Sequence, residues 1–243
     1  MRKPPAIPSA DAKIGRKIDY VAAAHLAPAL APHGFARHAR TLWRERGEGN
    51  ARALQVVNLQ GYKWNEGSRG SFCVNLGVQF PALHELLAAR PGHDWMRPWI
   101  GRADEAACTL RARIDEVLPD RRDAAWPPGL ARGEDHWFGI GEDTDLAALG
   151  ALVAALVVEH ALPWLDEAGD LAACFEGRTG RHRLAPPPSW RVAAGVLLGR
   201  TDEAAALYRT LREAIAEREP VDAVEAWLAS IGLTALRVRA EPA

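Results

Sequence analysis

Two segments, 54–60 (LQVVNLQ) and 71–78 (SFCVNLGV), constrain this chain more than any other stretch. Each alternates apolar and polar residues with a period of two, the pattern of a strand with one buried face. The connection at 61–70 is too short for a parallel crossover, so an antiparallel hairpin is predicted. On the first segment Gln55, Val57 and Leu59 point one way, and Leu54, Val56, Asn58 and Gln60 the other. On the second, Phe72, Val74, Leu76 and Val78 share a face opposite Cys73, Asn75, Gly77 and Gln79. Joining the apolar sets brings Asn58, Gln60, Asn75 and Gln79 together on the opposite face. An amide both donates and accepts, so these four are candidate binding residues. The structural alternative is that loop 61–70 satisfies them. That loop carries Tyr62, Lys63 and Trp64, and Trp64 joins the candidates.

The elements around the hairpin follow from period changes. Residues 11–31 place Ile14, Ile18, Val21 and Leu26 at helical spacing, with Pro28 expected to bend or end the helix and Gly34 to stop it. Strands are predicted at 41–46, 51–60 and 71–80, with turn chemistry in GEGN at 47–50. Pro81 ends the third strand, and 83–89 is a short helix. Residues 91–101 form a loop rich in Trp and Pro. Segment 108–117 reads both ways, and a strand at 108–114 is the choice made. Residues 119–134 are a linker by composition, and 135–140 a last strand. The stretch 145–165 is an apolar helix, with Asp143 or Thr144 as its cap and Asp145 at the positive end of its dipole. Three more helices lie near 190–198, 202–218 and 221–231. One of them, within 197–215, resembles half of a tetratricopeptide-type repeat, but no second copy exists and an ordinary helical hairpin is expected.

This order specifies an α+β fold: an antiparallel sheet of about 4–6 strands with an N-terminal helix and a helical C-terminal region. The domain organisation expected is a flexible arm at 1–10, an α+β domain at 11–140, and a helical region at 141–243 packed on the same core.

Charge and cysteine usage narrow the function classes. The formal net charge is −1, so no global field draws the chain to nucleic acid or anionic membrane. The three cysteines, Cys73, Cys108 and Cys174, are far apart and form no CxxC, which points to reduced core thiols. The start of the chain lacks the apolar core of a signal peptide, and the apolar run 146–158 is too short to span a bilayer. A cytoplasmic location is the expectation. Arg far outnumbers Lys among abundant Ala, Gly and Pro, a composition of high-GC bacterial genomes.

Motifs of catalysis are missing. No Walker loop or GxSxG occurs, and Gly139-Ile-Gly141 lacks the third glycine of a dinucleotide fingerprint. The eight histidines form no metal-ligand spacing, so neither a metal nor a cofactor is expected. Paired carboxylates such as Asp166/Glu167 and Asp202/Glu203 fall at helix ends, where the dipole explains them. A basic run, Arg37, Arg40, Arg44 and Arg46 with Phe35 and Trp43, gives a nucleic-acid reading in which Arg37 and Arg44 are binding residues. A hydrolase or transferase would have to draw on distant loops: His93, Asp94, Asp135 and His136. Of nine tryptophans, Trp164 and Trp227 sit in helical patterns and belong to the core. Trp64, Trp95, Trp99 and Trp126 lie in Gly/Pro-rich loops, where indoles mark interfaces.

The run GFARHARTLWRE (34–45), then LQVVNLQ, SFCVNLGV and CTLRARI, resembles a bacterial family, domain of unknown function 4304. DHWF at 135–138 and the helix ending in ALPWLDEAG fit its later part. The resemblance covers roughly residues 15–140 and implies no activity, cofactor or catalytic residue, since the family has none established. By analogy, some small bacterial α+β families act as immunity or partner proteins in toxin systems. The functional expectation is therefore a non-enzymatic, protein-binding protein of immunity or adaptor type, in an oligomeric state that the sequence leaves open.

Overall fold

The computed structural model describes residues 5–118, 136–178 and 186–234. The expected linker at 119–134, with Trp126, and Asp135 lie outside the described residues, as does most of the loop at 177–189.

The N-terminal helix runs further than its proline suggests. It comprises α1 (Ile14–Tyr20), a π turn (Val21–Leu26), α2 (Ala27–Leu30) and a 3-10 turn (Ala31–His33). Gly34, at φ 84°, then ends it. In an α-helix a proline ring collides with the carbonyl four residues back and offers it no donor. The wider π turn changes that spacing just before Pro28, so the helix continues through it. Lys17 is buried on this helix because its ammonium donates to the carbonyls of Ala10, Ser68 and Gly141, at 2.7, 2.9 and 3.3 Å. It thereby ties the chain start to two distant loops.

Among the described residues, six strands form one antiparallel sheet in the order β1 (Ala36–His38), β2 (Thr41–Arg46), β3 (Ala53–Gly61), β4 (Gly70–Gln79), β5 (Leu110–Arg113). The sixth, β6 (Phe138–Ile140), pairs with the Gly70–Phe72 end of β4, beyond β5. The α+β class and the β3–β4 hairpin are as the sequence predicts. β1, three residues long, has too few residues to show a period. The ambiguous segment resolves into strand and then helix, since α4 (Ile114–Val117) follows β5 directly.

Helix α3 (Pro81–Ala88) leaves the end of β4. A second long helix mirrors the first: α5 (Leu146–Leu156), a π turn (Val157–Ala161) and α6 (Leu162–Ala168), with Pro163 again just past the π turn. Asp145 is its cap, accepting from the backbone N–H of Ala147 and Ala148, in place of Asp143 or Thr144. Thr144 Oγ1 instead accepts from Gly141 N–H. Leu146–Ala168 spans 23 residues, long and apolar enough by length and composition to cross a membrane. The run at 146–158 understates it because the π turn carries the helix past Glu159 and His160. One side is buried, through Val153, Leu156, Val157, Ala161, Leu162 and Leu165. The His25 ring packs where Gly150 has no side chain, since a Cβ there would lie 2.4 Å from the ring.

Helices α7 (Leu171–Glu176), α8 (Pro188–Leu197), α9 (Thr201–Ala216) and α10 (Val221–Ser230) complete the described chain. One core contains Val57, Leu59, Phe72, Val74, Leu76 and Val78 from the sheet together with residues of the N-terminal helix, α5, α6 and the C-terminal helices. Burial of these apolar side chains is the main favourable term in folding.

Candidate functional site

The outer sheet face is where the candidate amides converge. The register aligns Thr41, Asn58, Asn75 and Arg113 in one row across β2 to β5. Gln60 and Cys73 pair in the next row, and Leu54 pairs with Gln79 toward the other end. The predicted sharing of a face by Asn58, Gln60, Asn75 and Gln79 is thus what the register produces.

Their partners come from neighbours on the same face. Asn58 Nδ2 donates to Thr41 Oγ1 at 2.9 Å, and Asn75 Nδ2 to Gln60 Oε1 at 2.7 Å. Loop 61–70 takes no part in this. Its Asn65 closes the loop on itself, donating to Ser71 O and accepting from Ser71 N–H, both at 2.8 Å. Asn58 is half-buried and Gln60 exposed, while Asn75 and Gln79 are buried. Gln79 is a clamp. Its Nε2 donates to the carbonyls of Trp99 and Ala107 at 3.0 and 3.1 Å, and its Oε1 accepts from Gly101 N–H at 2.6 Å.

Arg113 was not among the predicted site residues. The alternation of CTLRARI places it on the outer face once the segment is taken as a strand. Its guanidinium lies 5.2 Å from the centre of the Trp137 ring, and Tyr62 meets the same indole edge-on at 5.1 Å.

The clamped segment, 94–108, covers the other half of this face. Leu54 and Val56 pack there with Cys108, Trp43 and Ala103. Gly77 makes the approach sterically feasible, since a Cβ on it would lie 2.5 Å from Cys108 Sγ. Between this segment, α3 and α8 lies a cavity of about 280 Å³. His84, Met96, Cys108 and Ala107 line it, with Trp95, Trp99, Ala106 and Trp190. Exposure grades its walls. His84, Met96 and Cys108 are buried, whereas Trp95 and Trp99 are 63% and 39% exposed and so form the mouth. Helix α8 is held beside α3 by polar ties. Ser189 Oγ donates to Glu219 Oε1 at 2.6 Å, and Arg90 pairs with Glu219 Oε2 at 2.7 Å.

Burial sets the chemistry of the cavity. It lowers the His84 imidazole pKa to about 4, so the ring is neutral at neutral pH. Its Nε2 is 2.8 Å from Thr109 Oγ1, while Nδ1 has no partner among the described residues. Burial, and then Glu105, push the Cys108 thiol well above its usual range, so it stays protonated and is a poor nucleophile. All three cysteines are buried thiols, as expected.

The other candidates separate. Arg37 is exposed and donates to Ala39 O at 2.6 Å. Arg44 is only 3% exposed, which corrects its assignment to a nucleic-acid-binding surface. It faces inward, donating to Gln55 Oε1 at 2.6 Å and His33 O at 2.9 Å, pairing with Asp166, and lying over the Phe35 ring. A buried guanidinium needs such partners, and its burial takes it off the surface that a phosphate backbone could touch. Of the distant-loop enzyme set, the described residues Asp94 and His136 lie apart. Asp94 opens the turn that ends at Trp99, bonded to Gln79 at one end of β4. His136 leads into β6 at the opposite end of that strand. Of the loop tryptophans, Trp64 is 68% exposed, and Lys63 lies 5.0 Å from its ring centre. Trp164 and Trp227 are core residues, as predicted. Among the described residues, no group of three or more His, Cys, Asp or Glu could hold a metal ion.

A family model described as a domain of unknown function, DUF4304, matches residues 26–167. No curated protein and no solved structure matches the chain.

Proposed function

The chain belongs to the DUF4304 family, and on that premise we propose that it is a non-enzymatic binding protein of adaptor or immunity type whose partner is another protein. The observation that carries this reading is the exposure of Trp64, Trp95 and Trp99 on loops bordering the outer sheet face. Large aromatics that stay exposed on ordered loops are costly to solvate and supply most of the energy at protein interfaces. These loops are pre-organised. Gln79 holds the one bearing Trp99, and Asn65 holds the one bearing Trp64. Pre-organisation lowers the entropy cost of docking. Asn58 and Gln60 remain within a partner's reach, whereas Asn75 and Gln79 serve as supports. A bacterial cytoplasmic setting belongs to the same reading and rests on composition.

Affinity purification from the native host, followed by binding with the purified partner, tests it. Trp95→Ala with Trp99→Ala should weaken the complex at least about tenfold, the effect of losing one interface hot spot, with the fold intact by circular dichroism. A partner whose affinity ignores all three tryptophans, or no partner above background, would overturn the reading.

A further inference from the structure

The cavity under Trp95 and Trp99 has features that a protein-docking surface does not require. It reaches about 280 Å³, whereas an apolar cavity of about 150 Å³ already accepts a benzene ring. Its walls offer indole rings, a thioether and a neutral thiol, surfaces that favour flat, polarisable ligands over aliphatic ones. The wall segment is fixed by the buried Gln79 amide through three hydrogen bonds, so the opening is built into the fold. One buried polar atom on the lining residues, His84 Nδ1, has no partner among the described residues. A buried polar atom of this kind costs stability unless something pairs with it. Thr109 Oγ1 accepts from Phe80 N–H at 3.4 Å and lies 2.8 Å from His84 Nε2. With the Thr109 hydroxyl donating to Nε2, every group of this pair but Nδ1 is paired, and the imidazole proton then sits on Nδ1 as a donor.

We infer that this cavity binds a small neutral aromatic molecule, one or two rings in size, that carries a hydrogen-bond acceptor directed toward His84. The rings enter past Trp95 and Trp99 and stack against the indole walls, and the acceptor reaches the buried Nδ1 as the His84 imidazole turns toward it. This site stands independently of the protein-partner reading, because it needs no second chain.

Three probes separate the contributions: acetophenone (aromatic with an acceptor), toluene (aromatic only) and cyclohexanone (acceptor only). Calorimetric titration of the full chain, followed in parallel by tryptophan fluorescence, should give saturable binding of one acetophenone per chain. Toluene should bind more weakly, and cyclohexanone most weakly. Ala107→Phe, which fills the cavity, should raise the acetophenone dissociation constant at least tenfold. Trp99→Ala, at the exposed mouth, should also weaken binding and covers the case in which Ala107→Phe does not fold. His84→Phe should bring acetophenone down to the affinity of toluene. The inference is overturned if no probe saturates, if cyclohexanone binds as tightly as acetophenone, or if a folded Ala107→Phe protein binds unchanged. It is also overturned if the cavity rejects all three probes and is filled by a partner's side chain in a complex.

Discussion

The two halves of the outer sheet face handle polarity in opposite ways. In one half, Asn58, Asn75 and Gln60 pair with each other and with Thr41, so the strands satisfy their own amides. In the other, Gln79 looks away from the sheet and satisfies the backbone of a covering segment. A self-paired surface is a flat platform on which only Asn58 and Gln60 stay open to a partner. The segment so held forms one wall of the tryptophan-lined cavity, whose other walls come from α3 and α8.

Cutting that hold should have the largest effect. Gln79→Leu takes the donor from Ala107 O, one of the two donors from Trp99 O, and the acceptor from Gly101 N–H, and should cost about 3–4 kcal/mol in urea unfolding. The loss should be accompanied by a shift in tryptophan emission as Trp99 is released. Acid should come next, acting through the cavity wall. The folded pKa of His84, about 4, lies below its usual 6.5. The fold therefore favours the neutral ring, its contribution is complete above about pH 6.5, and it is lost as pH falls toward about 4, by about 3 kcal/mol. Unfolding free energies measured across that window should show the slope, and His84→Phe should flatten it.

Gly77→Ala tests the contact between the halves. A Cβ 2.5 Å from Cys108 Sγ forces the covering segment outward, and overpacking of this kind should cost about 2 kcal/mol. Asn58→Ala should have the smallest effect, about 0.5–1 kcal/mol, because its one partner is a half-exposed hydroxyl that water can serve. If Asn58→Ala proved costlier than Gln79→Leu, the roles assigned to the two halves would have to be exchanged.

Much of this frame is legible in the residues. The alternation at 54–60 and 71–78 specifies the hairpin, its inner and outer sets, and the register that unites four amides. Apolar runs and caps locate the long helix and the three C-terminal helices to within a few residues. The failures have identifiable causes. Arg44 alternates correctly with Trp43, but alternation does not say which face a short strand buries, and Gln55, His33 and Asp166 hold the guanidinium on the covered side. Arg113 was passed over because its segment is strand for four residues and helix immediately after. Pro28 and Pro163 mark breaks in an ideal helix, yet a π turn before each lets the chain continue.

Local pattern alone determined the fold class, the antiparallel hairpin and the grouping of Asn58, Gln60, Asn75 and Gln79, because strand period and short connections act between near neighbours. What each amide does was decided only in three dimensions. Gln79 meets Trp99 and Ala107, which lie 20 and 28 residues away. The cavity joins His84 on α3 to Trp190 on α8. No period in a sequence encodes such meetings, since they depend on how separately formed elements pack against one core.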